Sequence, residues 1–520
     1  MERCDREFSR RAARVPVHGV GLSVDVYTPE LLELHGALGQ AGLQPEYLEV
    51  FKAPGADLAR IRRALPATRF AYHAEGVWLI DPEMRWRYPW GEETHRMARH
   101  AQVLGAAWIN HECASKQFGG YSFGTYLPPL FTRAAAEATA ANAALCQQRI
   151  DQWAISARCD DAPILLLELP PLTYFGLGEL SPADFFAQIA RAAPCGFVLD
   201  IGHLWTQWRY RERQRYNSLE SFADAFLDRF PLHRVIQVHL AGLSSVGRTD
   251  DAENPRWIDA HDAPVPKVLW SLLDRVLAHP GLSALKGIAL EVDTKAIALI
   301  REEFGQLREH VAMRRPSQAA YRPYRPHRPH PAPPGPQPTT SSRTESLADL
   351  YRTYAQVVSG QQPLDRSGLE PLCAHLDREG LRQYSTEYLP NELHHWGGDL
   401  DDLFPKVSRA LNDRGISSGD FVRFWFRHPY PVTEAYDFFY IKLDRWTEFV
   451  RERAPDLSEE TQREAQALRD IHAALNDEAI VAASARAISP AISPTHPELA
   501  KTGSILPWPA PRQNEEDAHQ

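Results

Sequence analysis

Eight short apolar runs punctuate the first 300 residues: Val15–Leu22, Glu46–Val50, Phe70–His73, Ala106–His111, Ile164–Leu169, Phe197–Asp200, Val235–Leu240 and Gly287–Val292. Runs of this length, apolar on both faces, read as strands buried in a parallel sheet. Between them lie segments of helical period. Pro29–Leu43 carries Leu31, Leu34 and Leu38; Thr94–Leu104, Thr132–Ala157, Pro182–Ala193, Ser218–Phe230 and Pro266–Ala278 follow. Strand–helix alternation over about 300 residues predicts a (β/α)8 TIM barrel, an α/β fold that usually takes about 250. The rival is an open doubly wound sheet. The count of eight, and the lack of a glycine-rich dinucleotide fingerprint after the first strand, favour the barrel.

The pattern breaks at Arg314. Residues 314–343, including YRPYRPHRPHPAPPGPQPTTSSR, are rich in proline, arginine and histidine. Such density favours polyproline II, so this stretch reads as a semi-rigid linker after a barrel domain at 1–313. Its His327 and His330 read as solvated. Residues 344–486 read as a smaller, mainly helical domain. Leu347–Val358 has helical period, and Leu369–Gln383, Leu400–Asn412 and Thr433–Arg453 are further helices; Ser458 is an expected N-cap for a last one. Phe421–Phe426 and Phe438–Ile441 also fit strands. The aromatics here, among them Trp396, Phe424, Trp425 and Trp446, suit a small core, or a surface for substrate or partner. The tail, 487–520, is proline-rich and polar, and is expected to be disordered.

Bulk properties narrow the class. A net charge of -10 over 520 residues gives no support for non-specific nucleic-acid binding. Six cysteines without a CxxC pair suggest neither a disulfide framework nor a zinc ribbon. The charged start, Met1–Arg14, has no apolar core of a signal peptide, and no run approaches the roughly 18 apolar residues of a membrane span. A cytoplasmic protein is the expectation.

The chemistry sits at the ends of the apolar runs. His73, His111, Glu168, Asp200, His239 and Glu291 stand there, with His203 just after the sixth run and Asp259 and His261 after the seventh. Buried imidazoles and carboxylates cost several kcal/mol each unless paired or bound to metal. In a barrel these ends converge on one mouth. The set exceeds what one four-coordinate zinc requires, and its mix of oxygen and imidazole suits iron, manganese or zinc. Glu168, Asp200 and His203 are the expected catalytic groups within it. Cys113 joins them only if its strand runs that far. Glu112, Asp262 and Glu49 are candidates to hold the imidazoles from behind.

GVGLS (Gly19–Ser23), YLEVF (Tyr47–Phe51), LLLELP (Leu165–Pro170), LDIGH (Leu199–His203), QVHLAG (Gln237–Gly242), IDAHDAPV (Ile258–Val265) and LEVD (Leu290–Asp293) together resemble the multinuclear non-haem iron-dependent oxidative enzymes, the family of the methanobactin-biosynthesis oxidase. The likeness runs over about Val15–Phe304. It implies a barrel with two or three irons, in mixed ferrous and ferric states, and dioxygen as co-substrate for modifying a ribosomally made precursor peptide. Carried over position by position, it implies metal ligands at His73, His111, Glu168, Asp200, His239, Asp259, His261 and Glu291. Two departures stand out. Gly202 and His203 occupy the place of an asparagine pair, so His203 is an added candidate ligand; and Glu75 is an extra carboxylate two residues after His73.

LDIGH is shared with xylose-isomerase-like barrels, so a divalent-metal sugar isomerase, epimerase or endonuclease-like hydrolase is the alternative. Lys116–Tyr126 (KQFGGYSFGTY) reads as a flexible lid. Trp205–Arg213 (WTQWRYRER) reads as a peptide grip or a packed helix start. Relatives in the resembled family often need a small partner protein to recognise the precursor; residues 344–486 are a candidate for that role within one chain.

Overall fold

The computed structural model describes residues 2–312 and 346–475, apart from 28, 87–89, 158–160, 247–255, 260, 396–397 and 430–436. Eight parallel strands close into a barrel: β1 (Gly19–Val24), β2 (Tyr47–Phe51), β3 (Arg69–Ala74), β4 (Ala106–Glu112), β5 (Ile164–Glu168), β6 (Gly196–Asp200), β7 (Val235–Leu240) and β8 (Gly287–Val292). Neighbours follow chain order, and β8 pairs with β1 from Gly19 opposite Gly287 to Val24 opposite Val292. Each predicted run is a barrel strand, with ends moved by a few residues. The intervening helices start where side chains cap them: Thr132 accepts the Ala135 N–H, Ser181 that of Asp184, and Ser218 that of Ser221.

The end of the barrel away from the mouth is plugged by helix Glu2–Ala12. Its Phe8 and Ala12 join Tyr47, Trp108, Leu166 and Val198 in an interior core. Arg234 secures the helix: buried, it donates to Asp5 and to the backbone oxygens of Ala190, Ala193 and Cys195, and lies over the Phe8 ring.

The later region is helical throughout its described part, from Leu347–Val358 to Ser458–Leu475. Phe421–Phe426 and Phe438–Ile441 fall in helices Ser418–Trp425 and Asp437–Arg453 rather than strands; Phe421 meets Trp425 one turn on and Trp446 across the helix pair. Two predicted helices are broken near prolines. Glu370–Leu372, around Pro371, is a 3-10 turn before helix His375–Gln383, and Phe404 ends one helix as Pro405 starts the next. Ser458 lies inside its helix, after the turn Pro455–Leu457, and so is not the cap. The proline-rich stretch, with His327 and His330, and the tail lie outside the described residues.

This region shares one continuous hydrophobic core with the barrel. The expected lid is a β-hairpin, Ser115–Phe118 with Tyr121–Leu127, which continues from β4 and is clamped between mouth and helices. Phe118 stacks on Tyr351 at 4.7 Å, Phe123 meets Phe426 at 5.1 Å, and the Trp425 indole donates to the Ser122 carbonyl at 2.9 Å. The loop after β5 docks as well: the Gly176 N–H donates to Asp377. Gly380 permits this approach, because a Cβ there would stand 1.8 Å from the Tyr174 carbonyl oxygen.

Candidate metal centre

Side chains on a strand alternate between faces, so each barrel strand sends every second residue inward. At the mouth, the inward positions are Ser23, Glu49, His73, Glu112, Glu168, Asp200, His239 and Glu291, one from each strand in order. Seven of the eight are groups that bind metal. Their donor atoms form three overlapping groups within 4.8 Å: Glu168, Asp200, His239 and Glu291; Glu49, His73 and Glu291; and His73, Glu112 and Glu168. Glu168, Glu291 and His73 each belong to two.

His239 lies at the centre. Its Nδ1 is 3.0 Å from Glu168 Oε1 and 3.2 Å from Glu291 Oε1, and its Nε2 is 3.0 Å from Glu49 Oε1. Burial opposes a charge on this ring, but the three carboxylates outweigh it and hold its pKa well above the ordinary imidazole value. His73, 3.5 Å from Glu168 Oε2, is raised for the same reason. Burial works against ionising Glu168 and Glu49 too. Facing imidazoles reverse the balance, so Glu168 falls well below the usual carboxylate range and Glu49 falls less far. Ser23 donates to Glu49 Oε1 at 3.0 Å, and the Asn110 amide donates to Glu168 Oε2.

His203 and Asp200 brace one another. Asp200 caps helix Ile201–Gln207 by accepting the His203 N–H at 2.6 Å, while the His203 ring sets Nδ1 against the Leu169 carbonyl at 2.5 Å and Nε2 3.8 Å from Asp200. His261 enters from the loop after β7, with Nε2 3.6 Å from Glu291 and Nδ1 3.2 Å from Asp293. That loop is pinned from behind. Glu303 accepts the Val265 N–H at 2.6 Å and the Lys295 ammonium at 2.8 Å. Gly242 lies so close that a Cβ would fall 1.7 Å from the Ala263 oxygen.

One expected ligand is placed otherwise. His111 is one residue out of phase: Trp108, Asn110 and Glu112 share the inward face, so Glu112 takes the place expected for His111. The His111 ring lies under the loop after β3, where Nε2 accepts the Val77 N–H at 3.2 Å and Nδ1 donates to the Glu112 carbonyl at 2.9 Å. Burial lowers its pKa to about 4, so the ring is neutral near pH 7. Asp259 ends a short strand, Arg256–Asp259, paired with Leu243–Val246, and its side chain is outside the described residues. Of the groups expected to support the imidazoles, Glu49 and Glu112 join the donor groups themselves, and Asp262 accepts from Ser244 instead. Cys113 lies beyond the strand end in the apolar core, its thiol pushed far up by burial. Glu75 pairs with Lys116 at 2.5 Å, and Lys116 and Lys52 hold its carboxyl at about 2 against the effect of burial. Ser23 and Asn110 were not singled out in the sequence; the phase of their strands is the signal that finds them.

Residues 89–311 match the family model described as "RiPP precursor modification enzyme MbnB/TglH/ChrH". A UPF0276 protein of Bordetella pertussis is 30% identical over 283 residues, covering 52% of this chain and 86% of the relative. The chain belongs to this family. A UPF0276 protein of Caulobacter vibrioides is 26% identical over 186 residues, 36% of this chain and 58% of that one. Solved barrels align with low scores: endonuclease IV from Thermus thermophilus (TM-score 0.35, 18% identity, 56% of this chain and 99% of that chain) and an L-ribulose 3-epimerase (TM-score 0.35, 12% identity, 58% and 99%).

Within this family of precursor-modifying enzymes, the matched span holds Glu112, Glu168, Asp200, His203, His239, His261 and Glu291; Glu49 and His73 precede it. The donor set fits transition-metal ions. Five carboxylates crowd a buried space with two imidazoles among them, and Glu49 Oε2 and Asn110 Oδ1 are buried with no hydrogen-bond partner among the described residues. Unsatisfied polar atoms in native interiors call for an explanation, and a bound cation supplies one. No helix among the described residues is long and apolar enough to cross a membrane.

Proposed function

We propose that this chain is a multinuclear non-haem iron oxidase that uses dioxygen to modify a ribosomally made precursor peptide. The observation that carries the reading is the ring of seven side chains able to bind metal, one from each of seven consecutive strands, arranged as three donor groups that share Glu168, Glu291 and His73. Shared carboxylates are how neighbouring ions are bridged, so the arrangement supports two or three irons. When bound, such ions supply electrons and open positions for dioxygen. The residues that would hold them are Glu49, His73, Glu112, Glu168, Asp200, His239 and Glu291, with His203 and His261 at the rim.

The chain's own work is positioning, exclusion of water and proton management. His203, its Nδ1 against the Leu169 carbonyl, presents Nε2 toward Asp200, where it can accept or return a proton as substrate binds. A peptide reaches the centre past the helical region. Tyr388 of that region meets Tyr174 at 5.9 Å and lies 3.4 Å from the Thr125 hydroxyl of the hairpin; Tyr174 in turn meets Tyr210 at 5.2 Å. We read this aromatic wall as the path of the precursor, so residues 344–486 do work that a small partner protein would otherwise perform.

The test is anaerobic reconstitution with ferrous iron, followed by air and a co-encoded small peptide. Two or three irons per chain, oxygen uptake and a mass change on the peptide are expected. Full activity with zinc alone and no oxygen uptake, or turnover of a sugar or phosphodiester without oxygen, would overturn the proposal.

A further inference from the structure

A second set of donors lies far from the barrel in sequence, at the turn between helices Leu389–His395 and Leu400–Leu403. His394 Nε2 is 3.6 Å from Asp399 Oδ1 and 3.4 Å from Asp401 Oδ1, and donor atoms of the three side chains lie within 4.8 Å of one another. His395 Nε2 is 3.2 Å from the other Asp399 oxygen.

Two features distinguish this cluster from chance surface ion pairs. The His395 ring is oriented by a bond from Nδ1 to the Asn391 carbonyl at 2.7 Å, the outer contact that metal-bound imidazoles usually make. The His394 side chain is only 13% exposed, so the Nε2 that faces the two carboxylates is largely withdrawn from solvent. The described residues on either side of the cluster are also held in place. From helix Asp437–Arg453, the buried Lys442 ammonium donates to the backbone oxygens of His394 and Gly398, at 2.7 Å each, and so draws the two ends of the turn together. A tetrahedral ion with bonds of about 2.0–2.2 Å sets its ligand atoms roughly 3.3–3.6 Å apart, in line with the 3.6 and 3.4 Å from His394 Nε2 to Asp399 and Asp401.

We propose that His394, Asp399 and Asp401, with His395 beside them, form a second divalent-metal site, of the zinc class, in the helical region. One or two imidazoles with two carboxylates suit zinc or cobalt; calcium would want six to eight oxygens. The role follows from position. Helix Leu389–His395 packs on hairpin strand Tyr121–Leu127, and that hairpin continues from β4, the strand that carries Glu112. An ion at its C-terminal turn fastens the helical region to the mouth of the barrel without taking part in the chemistry.

The test uses the full-length chain, stripped with a chelator and titrated with zinc or cobalt, as wild type, His394→Gln and Asp401→Asn. Asp401 is 57% exposed, so its isosteric replacement leaves folding intact. Wild type should hold one more zinc per chain than either variant and show tetrahedral-cobalt absorption beyond theirs; its melting temperature should rise further with zinc than theirs does. Equal zinc content and identical cobalt spectra in all three would overturn the site and leave surface ion pairs only. Failure of the barrel reading appears differently, as barrel metal missing from all three proteins alike.

Discussion

The barrel interior contains two polar layers, and they are built on opposite principles. In the lower one, the Trp108 indole donates to Gln237 Oε1 at 2.7 Å and the Gln237 amide donates to the Tyr47 hydroxyl at 3.0 Å, with His18 packed on both rings. Every group is neutral and the donors meet acceptors. In the upper layer, one turn of side chains nearer the mouth, carboxylates outnumber the imidazoles, and Glu49 and Asn110 keep buried oxygens without a hydrogen bond among the described residues. Polar burial alone therefore does not mark a site. Excess charge of one sign with unmet valence does, because only a cation from outside can balance it.

Glu168→Gln should break the contrast most. The change removes the charge shared by two donor groups, so metal affinity and activity should fall by more than about a hundredfold, beyond the effect of losing an outer partner. Elemental analysis and a peptide mass assay would check it. The metal-free variant should also be less stable than the metal-free wild type near neutral pH, because Glu168 is the buried counter-charge that His239 and His73 face. Gly242→Ala comes next. The new methyl group collides with the Ala263 carbonyl, moves the loop that carries His261, and should weaken metal binding roughly 10–100-fold. Retention of wild-type affinity would separate His261 from the centre.

Trp108→Phe probes the lower layer. It strands the Gln237 oxygen, and should cost about 1–3 kcal/mol in chemical denaturation while leaving the metal count unchanged. His100 gives the smallest effect, one that vanishes at neutral pH. Outside the sheet, it behaves like the lower layer: paired with the Tyr72 hydroxyl at 3.0 Å, its ring is held neutral, with a pKa of about 3, by burial and then by Lys52, Arg99 and Arg96. Below about pH 6.5 the unfolded chain takes up a proton that the folded chain refuses, so stability falls as pH drops from 6.5 toward 3. The loss is about 2 kcal/mol at pH 5, and His100→Gln should flatten that part of the profile.

Much of the centre was legible along the chain, because a strand buried on both faces has little reason to end in charge. His73, Glu168, Asp200, His239 and Glu291 stood out on that ground and are brought together. His111 shows the limit: adjacent residues on a strand point to opposite faces, so the pair His111–Glu112 could not be assigned until Trp108 and Asn110 set the phase of β4. Glu49, in an apolar run, was expected behind the imidazoles rather than among the donors, because its partner His239 is nearly two hundred residues away.

The alternation of apolar runs and helical periods by itself determined the barrel, its mouth and the kind of donors gathered there, since those follow from local periodicity and from the high energy of burying charge. Only the tertiary structure decided which face of each strand looks inward, that the glycine-rich segment after β4 is a clamped hairpin, and that the helical region packs against the barrel. Those outcomes depend on contacts between residues distant in the chain, and no local pattern encodes them.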